Sequence, residues 1–184
     1  TSDTGKYYLY VAPGTYTLNA NFNHPYYQFL PSSHSATTTQ YGDTITGKDF
    51  RMRPAFNFTD VAVNMTALTI ARPDHPVNYN ITAKNFGATS LTVDIGLKLP
   101  VLTTYQNIAG GTVTINAPDS ITISIPGVNP LGNKKATLTL YVSTSAAIND
   151  TLRFYPKAYP FATDTIKSNN IDTLKHPVRT SFDP

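Results

Sequence analysis

Two clusters of aromatic side chains are the groups in this sequence best suited to bind a ligand. The first contains Tyr26, Tyr27 and Phe29. The second contains Phe154, Tyr155, Tyr159 and Phe161, of which Tyr155 and Tyr159 are the candidate contact residues. Exposed aromatic rings of this kind can stack on sugar rings, so the two clusters form a candidate contact patch for carbohydrate. The chain has no tryptophan, the usual platform of carbohydrate-binding sandwiches. That absence favours the other interpretation, in which the clusters belong to a domain interface or a core.

Motifs for catalysis and metal binding are missing from the sequence. There is no G-x-S-x-G elbow, no H-E-x-x-H pair and no phosphate-binding loop. Cysteine is absent, and His24, His75 and His176 each precede proline, which favours extended or turning backbone. We therefore expect a protein that is not an enzyme and that has no cofactor and no metal. A Ser-His-Asp triad assembled from distant loops stays open, because such triads are defined by geometry and not by order.

A tripeptide of aspartate, then serine or threonine, then an aliphatic residue occurs five times. Nearly half of the 11 acidic residues, all of them aspartate, belong to it. Aspartate favours turns, and threonine and aliphatic residues favour strands, so each copy is suited to the entry of a strand. The copies begin at Asp43, Asp119, Asp150, Asp164 and Asp172.

The composition predicts an all-β protein with a dilute surface charge. Charged residues make up 14% of the chain, against roughly 25% in soluble domains. Glutamate, a strong helix former, is absent, whereas 14 prolines and 10 glycines punctuate the chain. The net charge of +3 is scattered, so no nucleic-acid partner is expected. No apolar run approaches the ~20 residues of a membrane span, so we expect no membrane insertion.

Alternation of apolar and polar residues predicts about three strands near the N-terminus. Residues 7–11 and 15–22 flank a turn at Pro13-Gly14 and predict a β-hairpin. Residues 31–40, rich in serine and threonine, predict a polar loop, and residues 44–52 predict a further strand. Three strands are too few for an independent sandwich.

The alternation restarts after Pro54 and predicts seven or eight more strands. The longest helix candidate, residues 143–150, is too short for more than a turn or two. We therefore predict two β-sandwich units: an incomplete one in residues 1–53 and a complete one in residues 54–184. The core of the second unit is predicted to contain Leu91, Val93, Ile95, Ile121, Ile123, Leu138 and Leu140.

Several short motifs resemble modules of large secreted proteins of Bacteroidota. The segment Asp3-Thr4-Gly5-Lys6-Tyr7, followed by Val11-Ala12-Pro13-Gly14-Thr15-Tyr16, resembles the second half of a carboxypeptidase-regulatory-like (prealbumin-like) module. Residues 60–184 resemble the immunoglobulin-like repeats of such proteins. The matching segments are Asp60-Val61-Ala62-Val63, Arg72-Pro73, Asn85-Phe86-Gly87, Leu99-Pro100, Asp164 with Asn169-Asn170, and Ser181-Phe182-Asp183-Pro184.

The resemblance implies a secreted, extracellular or cell-surface protein exported by type IX secretion. It implies a non-catalytic structural or adhesive module of a surface or fibre protein, with a carbohydrate-binding β-sandwich module as the alternative. The tripeptide resembles the acceptor motif of the O-glycosylation system of Bacteroidota. That resemblance implies O-linked sugar on a subset of Thr44, Ser120, Thr151, Thr165 and Thr173.

The expected partners are neighbouring modules or copies of the same protein, and glycans. The first strands of a regulatory-like module would lie before Thr1, so its hairpin is expected to expose an unpaired edge. Such an edge attracts a strand from a neighbouring copy or from upstream chain. The alternative is that the hairpin packs on the second sandwich and needs no partner.

Overall fold

The computed structural model describes residues 5–180 and confirms the predicted all-β fold class. The described residues form fourteen β-strands and a single 3-10 turn, Lys167–Asn169, with no α-helix. None of their helical segments has the length and apolar character needed to cross a membrane. The chain divides between Phe56 and Asn57 into two compact units.

The N-terminal unit consists of two small antiparallel sheets. Strand β1 (Gly14–Asn19) pairs with β3 (Ser33–Thr38), and β2 (Tyr27–Leu30) pairs with β4 (Arg51–Pro54). Each strand alternates between half-buried and exposed residues, as expected for sheets with one face against the unit's interior.

Three strand predictions for this unit are wrong. Residues 7–11 form no strand, so the predicted hairpin with β1 does not exist, and Tyr8 and Tyr10 are 76% and 96% exposed. The partner of β1 is instead the segment predicted as a polar loop, where the Oγ1 atoms of Thr15 and Thr37 lie 3.0 Å apart across the sheet. Of residues 44–52, only the last two belong to a strand. Alternation identifies extended chain but not its partner, because pairing depends on distant residues.

The strand pairs of the N-terminal unit bear on the expectation that it takes up a strand from a neighbouring copy or from upstream chain. All four strands of this unit find a partner within the chain. Each strand of these two-stranded sheets has an unpaired edge among the described residues, and residues 7–11 and 44–50 form no strand. Pairing with a strand from a neighbouring copy or from upstream chain therefore stays a prediction. The identification of residues 1–53 with a partial carboxypeptidase-regulatory-like domain stays a prediction.

The C-terminal unit has two four-stranded sheets and a two-stranded one. Its strands are β5 (Val61–Ala67), β6 (Pro76–Asn85), β7 (Leu91–Lys98), β8 (Thr103–Ala109), β9 (Thr112–Ala117), β10 (Ser120–Val128), β11 (Asn133–Val142), β12 (Thr151–Phe154), β13 (Lys157–Tyr159) and β14 (Leu174–Pro177). The sheet orders are β13-β7-β10-β9, β5-β6-β11-β8 and β12-β14. The inward-facing residues of both four-stranded sheets meet in one core, which makes this unit a β-sandwich.

Six of the seven predicted core residues are buried. The prediction is wrong for Leu91, which is only partly buried. Leu91 is the first residue of β7 and pairs with Val128 beyond a bulge in β10, so it lies at the margin of the core. The core also takes Tyr79 and Phe154, whose ring centroids lie 4.7 Å apart.

Candidate functional site

Part of the predicted aromatic patch lines an open cleft in the N-terminal unit. The cleft has a volume of about 370 Å³, and Phe22, Tyr27 and Phe29 are its aromatic lining residues. The ring of Tyr27 meets that of Phe22 edge to face at 5.7 Å between centroids. Tyr26 does not line the cleft. Its ring packs edge to face against that of Phe56, with the ring centroids 5.2 Å apart. The cleft therefore offers two of the predicted rings, together with Phe22, which the sequence analysis did not select.

The other two predicted aromatic residues lie in the C-terminal unit. Tyr155 and Tyr159 are 55% and 42% exposed. Close to Tyr159, the Nζ atom of Lys157 lies 3.8 Å from the ring centroid of Phe161, which is a cation–π contact. The structure places the predicted residues in two separate units, and a single patch made of all five stays a prediction.

The hydroxyl residues of the repeated tripeptide differ in exposure. Thr44, Thr151, Thr165 and Thr173 are exposed, whereas Ser120 is half-buried at the start of β10. The Thr165 hydroxyl donates a hydrogen bond to the carbonyl oxygen of Thr59 at 2.7 Å. The copies at residues 119, 150 and 172 lead into β10, β12 and β14, as the strand-entry interpretation predicts. The copies at residues 43 and 164 do not lead into a strand, so for them that interpretation is wrong.

Asp43, the first residue of the tripeptide copy at residues 43–45, stabilises a turn. The Oδ2 atom of Asp43 accepts hydrogen bonds from the backbone N–H groups of Thr39 at 2.8 Å and Gln40 at 3.1 Å. These bonds favour the ionised form and lower the pKa of Asp43 below its ordinary value. The carboxylate thus closes a turn, as its residue type favours.

A buried network of polar side chains holds the two ends of the C-terminal unit together. We call it the polar junction, and its members are Asp60, Asn85, Asp164, Asn169 and Asn170. Asp60, Asn85 and Asn170 are fully buried and Asp164 is 5% exposed. Charged and amide groups at such depth are costly unless hydrogen-bonded. In this junction the Oδ1 atoms of Asn169 and Asn170 are buried without a hydrogen-bond partner among the described residues. Among the described residues, no three His, Cys, Asp or Glu side chains cluster as metal ligands would.

Asp164 is the centre of this junction. Its Oδ2 atom accepts hydrogen bonds from the backbone N–H of Val61 at 2.7 Å and from Nδ2 of Asn170 at 3.0 Å. Its Oδ1 atom accepts one from the backbone N–H of Ile166 at 2.9 Å. One carboxylate therefore joins the first strand of the unit to a segment 103 residues later.

Asp60 and Asn85 extend the junction to the turn after β6. Asp60 accepts a hydrogen bond from Nδ2 of Asn169 at 2.8 Å, and its carbonyl oxygen accepts one from the backbone N–H of Phe86 at 2.7 Å. The Nδ2 atom of Asn85 donates to the carbonyl oxygen of Val128 at 2.8 Å. Gly87 fits this turn because a Cβ atom there would lie 2.9 Å from the carbonyl oxygen of Phe58.

The junction unites motifs that are far apart in the sequence. The Asp60-Val61, Asn85-Phe86-Gly87 and Asp164 with Asn169-Asn170 segments all contribute to it. The sequence analysis selected these segments by resemblance and missed that they meet. The available signal was the presence of Asp and Asn directly beside apolar strand residues, where polar side chains require partners.

Further contacts tie the C-terminal segment to the start of the unit. Thr59 forms an isolated β-bridge with Asp164, and Ala71 forms one with Val178. In both bridges the two chain segments run parallel. Between these bridges, Oδ2 of Asp172 accepts a hydrogen bond from the backbone N–H of Met65 at 2.7 Å. The last described segment of the chain is therefore bonded at three places to residues 59–71, which include β5.

A tyrosine–histidine pair lies at the edge of the same core. The Tyr79 hydroxyl and Nδ1 of His176 are 3.1 Å apart. Burial raises the pKa of Tyr79 above its ordinary value. Burial also lowers the pKa of His176, and the nearby charge of Arg179 lowers it further. Both shifts favour the neutral forms, so the pair acts as a packing and hydrogen-bonding contact.

No protein-family profile and no curated protein matches the chain. Among solved structures it is similar to a CARDB domain from Pyrococcus furiosus, at 17% identity and a TM-score of 0.46 over 67% of this chain and 96% of that one. It is also similar to a cohesin module from a Clostridium perfringens family 33 glycoside hydrolase, at 5% identity and a TM-score of 0.47. That similarity covers 67% of this chain and 98% of the cohesin module. A third similar structure is the collagen-binding domain of a Staphylococcus aureus adhesin, at 12% identity and a TM-score of 0.42. That similarity covers 67% of this chain and 97% of the collagen-binding domain. At this level the similarity concerns the fold, and we transfer no residue roles from it.

Proposed function

We propose that this chain is a non-catalytic structural and adhesive module of a secreted bacterial surface or extracellular fibre protein. The observation that supports this proposal is the parallel fastening of the first and last segments of the C-terminal unit. The polar side chains that the sequence motifs supply are engaged in holding this unit together. Bacteroidota as the source and type IX secretion as the export route remain part of the proposal, on the resemblance described above.

Parallel end segments suit a module that carries tension between its neighbours. Tension acts on the N-terminal end of the first segment and on the C-terminal end of the last segment. Because the two segments are parallel, these forces pull them past each other in opposite directions along one axis. The bridges at Thr59 and Ala71 then lie across the pull and are loaded in shear, together with the Val61–Asp164 hydrogen bond. Bonds loaded in shear must break together, whereas bonds in a peeling geometry break one at a time.

Single-molecule stretching tests the load-bearing role. The chain contains no cysteine, so pulling handles can be attached at Asn57→Cys and Thr180→Cys without competing thiols. We expect this pair to require a higher unfolding force than the pair Asn57→Cys and Val101→Cys, since the second pair does not load the C-terminal segment. Val101 is 95% exposed and tolerates a handle. Equal forces for the two pairs would contradict a load-bearing role, because forced unfolding depends on the barrier along the pulling direction.

We also propose that the exposed threonines of the tripeptide carry O-linked sugar. Thr44, Thr151 and Thr173 are expected to be modified ahead of Ser120, which is half-buried, and Thr165, whose hydroxyl is bonded to Thr59. Peptide mapping and intact mass of the protein from its native host check this expectation. An intact mass equal to that of the bare polypeptide would end it, and Thr173→Val should remove only its own glycopeptide.

The aromatic cleft supports a second candidate function, carbohydrate binding. We expect Tyr27→Ala to abolish binding to any polysaccharide that the chain retains in a pull-down or glycan array, because stacking on an aromatic face contributes much of such an interaction. Tyr41→Ala is the matched control, since Tyr41 is 82% exposed and does not line the cleft. Equal binding by the two variants would place the sugar elsewhere, and no binding by the unmodified chain would leave the structural role alone.

A further inference from the structure

The two sides of the C-terminal sandwich differ in how their edge strands are covered. On one side lie β5 and β13, and the last described segment of the chain contacts both. The backbone N–H of Met65 in β5 donates to Asp172, and Lys157 of β13 forms a β-bridge with Ile171. On the other side lie β8 and β9, whose strand neighbours among the described residues are β11 and β10 alone. The backbone edges of β8 and β9 that face away from these neighbours are therefore open.

The described chain ends on the covered side. The backbone N–H of Arg179 donates to the carbonyl oxygen of Ala71 at 2.8 Å, next to the end of β5. β5 and β8 are the first and last strands of one sheet, so three strand spacings of about 4.8 Å each separate them. β9 follows β8 after only two residues and lies at the matching edge of the other sheet. The open edge of β9 is thus remote from the last described residues.

β9 lacks the features by which edge strands avoid pairing with other chains. Such strands carry charges, prolines or bulges, or are covered by other elements. Residues 103–117, from the start of β8 to the end of β9, contain no charged residue and no proline. β13, by contrast, contains Lys157 and has a proline on either side. β8 has a bulge in its middle, at Gln106, whereas the irregularity of β9 comes only after Ile115. β9 is therefore the edge best suited to accept a further strand.

One apolar side chain on the core-facing side of β9 is left in solvent. Val113 and Ile115 lie opposite Ile123 and Ile121 of β10, which are both buried, so their side chains point toward the core side of the sheet. Val113 is partly buried and packs against the core, whereas Ile115 is 62% exposed. An added strand with an apolar side chain beside Ile115 would remove this surface from water.

We propose that β9 pairs with β9 of a second copy of this chain, antiparallel about a two-fold axis at Thr114. In this register Thr114 lies opposite Thr114 of the second copy, and Val113 lies opposite Ile115 on both sides of the axis. Pairs of threonine and of β-branched apolar residues stabilise neighbouring strands, and no charges oppose each other. The register supplies partners for whichever alternate backbone groups of β9 point away from β10.

A second copy is the occupant that β9 favours, because each molecule then covers the same open edge of the other. Two four-stranded sheets become one continuous sheet, and the contact closes as a dimer. Only a few residues of each copy take part, so the affinity is expected at the weak end of specific contacts. The inference goes beyond the load-bearing role and does not depend on it, since it assigns a lateral contact between copies.

Disulfide trapping tests the register. The chain has no cysteine, so Thr114→Cys introduces a single thiol. Opposite residues of antiparallel strands have Cα atoms about 4.5–5.5 Å apart, a distance that a disulfide can span. We expect Thr114→Cys to form a covalent dimer on mild oxidation of the whole chain. The matched control is Thr92→Cys, exposed on the inner strand β7 of the same sheet. It should dimerise at least about tenfold more slowly, because nothing holds its thiols together.

A charge exchange at the axis tests the same pairing without a covalent bond. Thr114→Lys and Thr114→Asp each place like charges opposite one another, so each should weaken the dimer by about tenfold. An equal mixture of the two variants should dimerise at least as tightly as the unmodified chain, since lysine then faces aspartate. Thr92→Lys should leave association unchanged. Sedimentation equilibrium of the whole chain, up to about 1 mM, measures all four samples.

The outcomes separate this dimer from other uses of the edge. An unmodified chain that stays monomeric up to that concentration would overturn the proposal. A dimer that both Thr114 charge variants leave unchanged would place the interface elsewhere, and would overturn it too. If both variants weaken association but the mixture does not restore it and Thr114→Cys is not trapped, another segment occupies the edge and the pairing of β9 with β9 is wrong. Hydrogen exchange of β10 amides verifies folding, and the unmodified chain decides the question if a variant fails to fold.

Discussion

Asp164→Ala should lower the free energy of unfolding of the C-terminal unit by about 3–5 kcal/mol, which makes it the most damaging single change that we expect. The substitution removes the acceptor of three hydrogen bonds, from Val61, Ile166 and Asn170. Val61 and Asn170 are fully buried, so water cannot easily replace the lost carboxylate. Each buried donor left without an acceptor costs about 1–3 kcal/mol.

The matched control is another aspartate of the same tripeptide, Asp119. Its side chain is 51% exposed and it lies 3.4 Å from Nζ of Lys98 in a surface ion pair. Exposed pairs of this kind contribute about 0–1 kcal/mol, so Asp119→Ala should be nearly neutral. Because the chain has two units, hydrogen exchange of the amides of β6 and β11 is the suitable measurement, since it reports the C-terminal unit alone. Similar effects of the two substitutions would show that the junction contributes little to stability.

Ile123→Ala should lower the same free energy by about 2–5 kcal/mol. Ile123 is fully buried in β10, between Ile95 of β7 and Val113 of β9. Truncation removes three buried carbon atoms and leaves a cavity in a densely packed core, and both effects oppose folding.

Ile115 provides the comparison for this change, because it lies on the adjacent strand β9 but is 62% exposed. Ile115→Ala should cost less than about 1 kcal/mol, chiefly through strand propensity. Guanidinium unfolding combined with hydrogen exchange of β10 amides measures both variants. A cost near zero for Ile123→Ala would mean that this face of β10 does not carry the core.

The sequence predicts the C-terminal unit well because its signal is local. Apolar residues at every second position identify the buried face of a strand without any knowledge of its partner. Ile95, Ile121 and Leu138 are buried for this reason, as the pattern predicts. Leu91 departs from it because a bulge in β10 shifts the register at the end of its strand.

The N-terminal unit shows the limit of the same signal. Residues 7–11 are a continuous run of tyrosine, leucine and valine, which are common in strands, yet only β1 forms a strand. The polar segment that pairs with β1 lacks an apolar stripe, and one threonine pair, Thr15 with Thr37, lies across the two strands. Tyr27 and Phe29 of the candidate patch could be selected by residue type, but their cleft also needs Phe22, which chain folding brings to them.

The sequence by itself determined that this protein is built of β-strands, that six named residues of the C-terminal unit belong to its core, and where the tripeptide hydroxyls and the aromatic rings occur. The tertiary structure alone decided which strands pair and that five polar residues meet in a buried junction. The reason is physical. Strand propensity and burial follow from neighbours one or two positions away, whereas hydrogen bonds such as that between Val61 and Asp164 join residues 103 positions apart and exist only once the chain has folded.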